Sequence, residues 1–153
     1  MTDECIIGLI QGSKADFLST LPEYQRLAID HFLNETNDPL EAAARWLAAS
    51  GPAQTAPFAA QKPGSVYLEK VLDEVEGLLC GGSKYKAERA KLLGELKPGQ
   101  LYLVGSISTA IGPHVGAAAA FIAPVIALVL IVVVTIGTNA WCAMRKEARA
   151  SLT

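Results

Sequence analysis

Residues Val115–Gly137 read VGAAAAFIAPVIALVLIVVVTIG, 23 consecutive residues without a charge. As a helix this run is about 34 Å long, enough to cross a hydrocarbon core about 30 Å thick. It lies inside a longer stretch, Pro98–Met144, in which 47 residues include no Asp, Glu, Lys or Arg. All charge falls in residues 1–97 and 145–153, a segregation that ordinary soluble domains do not show. A helix apolar on every side is either a membrane span or the centre of a large core, and the remainder of this chain is small for the second role. Residues 115–141 are therefore expected to form a transmembrane helix. Tyr102 and Trp141 would sit at the two interfaces, and Arg145, Lys146 and Arg149, in a short basic tail over residues 142–153, would stop transfer.

Upstream, residues 98–114 are milder. Gly105, Ser106, Ser108, Thr109, Gly112, Pro113 and His114 dilute the apolar residues, so this pre-membrane segment reads as a surface-lying helix, a re-entrant piece or a thin first span. Both flanks are positive. Residues 84–97 hold five basic against two acidic residues, and the tail holds three against one, which favours both ends in the cytoplasm and a hairpin. Hydrophobicity favours one firm span behind a cytoplasmic N-terminal domain. Small residues recur at every fourth position, Ser108, Gly112, Gly116 and Ala120, beside a second row of Gly105, Thr109, Pro113 and Ala117. In lipid, close backbone approach over such ridges drives helix association. Gly105, Ser108, Gly112, Gly116 and Ala120 are thus candidate helix-packing residues, either within one chain or between copies. Ser106, Thr109, His114 and Thr135 carry the polar chemistry of the segment and are candidate pore-lining residues. For His114 an interfacial imidazole is the competing reading.

The whole chain has 153 residues, 13 basic and 15 acidic, with 51% hydrophobic residues. That balance excludes a strongly basic nucleic-acid binder and a disordered chain. Three cysteines without CxxC spacing argue against a disulfide framework, and reduced thiols are expected. The acidic start Met1–Glu4, followed by a six-residue apolar patch at Cys5–Ile10, lacks the features of a secretory signal. Residues 1–97 form the expected cytoplasmic sensing or cap domain. Phe17, Leu18, Leu21, Tyr24, Leu27, Ala28 and Phe32 mark an amphipathic helix, restarting at a Thr20-Leu-Pro-Glu23 capping box. Asp38-Pro39 opens a second helix, and residues 51–64, with Pro52, Pro57 and Pro63, read as a loop or linker pinned by Phe58. A third helix carries Tyr67, Leu68, Val71, Leu72, Val75, Leu78 and Leu79 on one face, and a fourth runs from Lys84 to Lys97. The fold class is all-α: a small helical bundle followed by a transmembrane helix or a helical hairpin.

Catalytic signatures are lacking. The runs Gly8–Lys14 and Gly81–Lys84 do not have the spacing of a phosphate loop. His31 and His114 form no metal-ligand motif, and Asp73, Glu74 and Glu76 read as solvated charge. No enzyme, cofactor or metal is expected. Lys84, Lys86, Arg89 and Lys91 make a basic stretch suited to anionic lipid headgroups or a nucleotide.

This layout resembles small bacterial membrane effectors of anti-phage defence, in which a cytosolic helical domain precedes a Gly/Ala-rich membrane segment. The resemblance rests on Gly105–Gly137 and the ending Asn139-Ala-Trp-Cys142. It implies a homo-oligomeric channel or pore in the bacterial inner membrane, gated through the N-terminal domain. Its partners would be the bilayer, copies of itself, and a nucleotide, oligonucleotide or protein signal. A non-conducting membrane-anchored adaptor is the alternative.

Overall fold

Ser13 shows how local chemistry starts the fold. Its hydroxyl accepts the Asp16 N–H while the Asp16 carboxylate accepts the Ser13 N–H, a reciprocal box that caps α1 (Lys14–Leu18). The computed structural model describes residues 10, 12–50, 63–94 and 99–151, and among these all regular structure is helical. The box expected at Thr20 does not form, because the Thr20 hydroxyl donates back to the Phe17 carbonyl. Helix α2 (Glu23–Thr36) starts instead behind Pro22 without a side-chain cap. It ends at Asn37, whose φ of 56° reverses the chain, and Asp38 Oδ1 accepts the Leu40 N–H to open α3 (Pro39–Ser50).

After α4 (Pro63–Leu79) a 3-10 turn at Ser83–Tyr85 leads into α5 (Lys86–Leu93). The uncharged part then folds as α6 (Gln100–Val115), α7 (Ala119–Ile136) and the start of α8 (Thr138–Ser151), whose later turns carry the basic residues. The Cys5–Ile10 patch before Ile10, the linker residues 51–62 with Phe58, and residues 95–98 lie outside the described residues.

The boundaries of the apolar run differ from expectation. Residues 115–141 are not one helix: Val115 closes α6, a turn follows, and α7 is confined to Ala119–Ile136. The break occurs at Gly116, whose φ of 71° is a left-handed cap that a continuing helix cannot contain. Residues 142–151 of the basic tail likewise belong to α8, which starts after Gly137 with a Trp141 N–H to Gly137 O bond.

Helix α7 occupies the centre. Residues 124–131, two turns of it, are buried without a break, so it is covered on every side there. It packs along α3 and α6 and also touches α1, α2 and α8, while α3 bridges to α2 and α4. One core joins Phe17, Ile29, Trp46 and Leu72 to Leu103, Ile126 and Trp141. The N-terminal helices and the uncharged segment thus share a single interior. The reason is complementary: α1, α2 and α3 each carry an apolar stripe needing a surface, α7 offers one, and α4 lays its own stripe on α3 and α6. Among the described residues α7 is the one helix long and apolar enough to cross a membrane, with 56% of it buried.

Candidate functional site

The chemistry of α7 begins with its turn. Gly116 takes the left-handed conformation, and the Ala117 N–H reaches back to the Gly112 carbonyl at 3.0 Å. A Cβ on Gly112 would stand 2.6 Å from the Ala117 carbonyl oxygen. These two glycines therefore close an α6–α7 hairpin. The other small residues go elsewhere: Ser108 is buried with its hydroxyl unpartnered among the described residues, Gly105 faces open space, and Ala120 is exposed.

Three side chains seat this turn, one from each of three helices. Pro124 lies inside α7 and has no N–H to give to the Ala120 carbonyl four residues earlier. Gln25 of α2 supplies that donor, Nε2 to Ala120 O at 3.0 Å. Trp46 of α3 donates its indole N–H to the Phe121 carbonyl at 2.9 Å and stacks on the Phe121 ring. Tyr67 of α4 donates to the Val115 carbonyl at 2.7 Å, satisfying the end of α6. Burial raises the Tyr67 hydroxyl above its ordinary pKa, so it remains a donor.

The other end of α7 is held through α8. The Arg145 guanidinium reaches three carboxylates of α4: Asp73 at 2.6 Å, Glu76 at 3.3 Å and Glu69 at 3.5 Å. Arg145 and Glu76 are withdrawn from solvent, with side chains 13% and 8% exposed. Cys80 and Cys142 are joined in a disulfide with Cα atoms 5.8 Å apart. This corrects the expectation of reduced thiols: docking α8 on α4 brings together two cysteines that lie 62 residues apart in the chain. Trp141 is buried beside them. Sequence reasoning passed over this clamp, although Glu69, Asp73 and Glu76 on α4 and Cys80 just after it recur at helical spacing, as do Cys142 and Arg145 on α8.

On the outer side of α6 lies a groove of about 690 Å³. Gly105, Ser106, Thr109 and His114 border it from α6, and Glu88 and Lys91 from α5. Three of the four candidate pore-lining residues are thus brought together. Thr135, the fourth, lies near the far end of α7 and donates back to the Ile131 carbonyl. The His114 ring meets Tyr85 edge-on at 5.2 Å.

The basic stretch divides. Arg89 is buried and donates to the Gly77 and Leu78 carbonyls, capping α4, while Lys84 pairs with Glu74 at 2.9 Å. Lys86 and Lys91 face outward. Glu74 also accepts the Tyr85 hydroxyl at 2.6 Å. Burial opposes its ionisation, but the Tyr85 hydrogen bond and the Lys84 charge more than offset that and hold its carboxyl below the usual range. Burial, and then the Glu74 carboxylate, push the Tyr85 hydroxyl strongly upward.

Among the described residues no group of three His, Cys, Asp or Glu side chains could hold a metal ion. The site thus consists of an apolar helix, a polar seat at one end and a clamp at the other. Comparison of the chain with protein-family models, with curated proteins and with solved structures finds no match.

Proposed function

We propose that this chain is a homo-oligomeric pore-forming effector or channel that stores its membrane span inside a helical bundle. In this reading it belongs to anti-phage defence at the bacterial inner membrane, with the N-terminal helices cytoplasmic and acting as the gate. The observation that carries the reading is α7 itself, 18 residues of membrane-spanning character sheathed by amphipathic helices. Burying a Val, Leu or Ile side chain away from water is worth about 1.5–3 kcal/mol, but lipid tails are as apolar as a protein core. Moving α7 from bundle to bilayer therefore forfeits little of that energy. What opposes the move is the uncovering of the apolar stripes of α1, α2 and α3, which lipid or one another must cover again, together with the three donors at the turn and the α8 clamp, which a signal can change. Once out, the α6–α7 hairpin presents Gly105, Ser106 and Thr109 on one outer face, where copies can meet. Lys86 and Lys91 are placed for anionic headgroups or a nucleotide signal.

The test is dye leakage from vesicles of phosphatidylcholine and phosphatidylglycerol, with Trp46 fluorescence followed in a Trp141→Phe background. Because Trp46 is bonded to Phe121, its emission reports the departure of α7. Leakage that accompanies the Trp46 change, with a multimeric mass in detergent, is the expected outcome. Exposed Tyr24 and Leu27, 68% and 58% accessible on one face of α2, favour a second reading, a membrane-anchored adaptor. Membrane binding without leakage would support that adaptor, and absence of both would overturn the membrane reading.

A further inference from the structure

The Cys80–Cys142 disulfide closes a ring that contains α5, α6 and α7 entire. With the ring closed, the residue that follows α4 and the middle of α8 stay beside one another. Helix α7 is about 27 Å long at 1.5 Å per residue, and its end at Ile136 lies six residues before Cys142, so while Cys142 remains at Cys80 that end stays tethered beside α4 and the α6–α7 hairpin cannot come away from the bundle as a unit. The bond also lies one turn from Arg145, so covalent link and ion pairs hold the same face of α8 on α4. Both cysteines are partly accessible rather than sealed, within reach of an attacking thiolate. Gly137, at φ 94°, lets α8 fold back onto the bundle after α7, and the same joint lets it swing away.

We propose that the Cys80–Cys142 pair is a redox-operated lock on α7: the disulfide keeps α8 on α4 and the span inside the bundle, and reduction by a cellular dithiol frees both. The inference rests on the membrane-entry reading above and names its regulation. In the step, one thiolate of the dithiol attacks a protein sulfur, the S–S bond breaks, and the other cysteine leaves as a thiolate and takes a proton. The second thiol of the reductant then attacks the mixed disulfide, closing a ring in the reductant and releasing the remaining cysteine as a thiol. Two electrons and two protons pass to the Cys80–Cys142 pair, and the dithiol becomes a disulfide. After that, α8 is held by Trp141 and by ion pairs of which two, to Glu69 and Asp73, are solvent-exposed. In a reducing cytoplasm the pair stands open, so the locked state is the one that oxidising conditions select, and thiol poise thereby sets whether α7 can leave.

The test uses the full chain in a Cys5→Ser background, oxidised or treated with dithiothreitol, with two readouts. Without vesicles, reduction should speed amide hydrogen exchange across α8 by at least about tenfold, the signature of a local opening. With phosphatidylcholine–phosphatidylglycerol vesicles, dye leakage should be confined to the reduced form. Cys80→Ser and Cys142→Ser should each match the reduced protein in both readouts with or without dithiothreitol. Unchanged α8 exchange on reduction overturns the lock. Equal leakage from both forms also overturns it and leaves the membrane reading standing. Faster α8 exchange with no leakage in either form upholds the opening of the clamp and removes the membrane reading instead.

Discussion

Gly105 and Gly112 look alike in the sequence, two small residues on one helix seven positions apart, yet their surroundings differ sharply. A methyl at Gly112 would press on the Ala117 carbonyl, which is backbone and cannot swing aside, whereas one at Gly105 meets nothing within 4 Å. Gly112→Ala should destabilise the protein by about 1–3 kcal/mol through overpacking of the turn. Gly105→Ala should leave stability unchanged or raise it by up to about 1 kcal/mol, because alanine loses less backbone entropy in a helix. Urea midpoints of the two variants at equal m-value check this, and similar shifts would contradict the assignment of Gly112 to the hairpin turn. The row Ser108, Gly112, Gly116 and Ala120 is visible in the sequence, but its partner is not. Small residues allow backbone approach without saying whether the approaching backbone is a second helix or the chain's own reversal at Gly116.

At the scale of elements, the helices were legible because their apolar residues keep to one stripe, as in α4 with Val71, Leu72, Val75 and Leu79. Their docking was not. The stripe of Glu69, Asp73 and Glu76 has the spacing of any solvated helix face, and the Arg145 that organises it lies 69 residues beyond Glu76 in the chain. The three ion pairs are unequal. Glu69 and Asp73 are 66% and 57% exposed and their pairs are screened, while Glu76 is nearly buried and faces a withdrawn guanidinium. Arg145→Met should therefore cost about 1.5–3 kcal/mol, chiefly through loss of the withdrawn pair with Glu76. Glu69→Gln should shift stability by less than about 0.5 kcal/mol. Arg145→Met and Glu76→Gln combined should cost less than the sum of the two single substitutions, because both remove the same pair. A double-mutant cycle measured by urea unfolding tests the ranking, and a larger loss from Glu69→Gln than from Arg145→Met would refute it.

Across the whole molecule, the sequence separates charged from uncharged residues so cleanly that two compartments are the natural reading, a bundle in water and a span in lipid. Hydropathy cannot distinguish a helix surrounded by lipid from one surrounded by apolar stripes of its own chain, because both environments demand the same side chains. The fold takes the second option, with the interior of α1, α2 and α3 built against α7 and α4 joined to it through α3 and α6. That has a measurable consequence in oxidised protein free of lipid. Trp46 sits against the start of α7 and Trp141 beyond its end, on opposite sides of the boundary that the sequence suggests. If the helices share one core, Trp141→Phe and Trp46→Phe variants, each reporting through its remaining tryptophan, should unfold in urea with coincident curves. Any difference in midpoint should equal the difference in stability measured for the two variants by circular dichroism. A bundle with an independently packed C-terminal segment would give two transitions, with the Trp46 signal changing while the Trp141 signal holds. Coincidence also bears on membrane entry, since a span that is the common core cannot depart without opening the helices around it. On the proposed membrane-entry reading, gate and cargo would then be one cooperative unit, and a ligand or redox change that loosens any of the surrounding helices would lower the barrier to releasing α7.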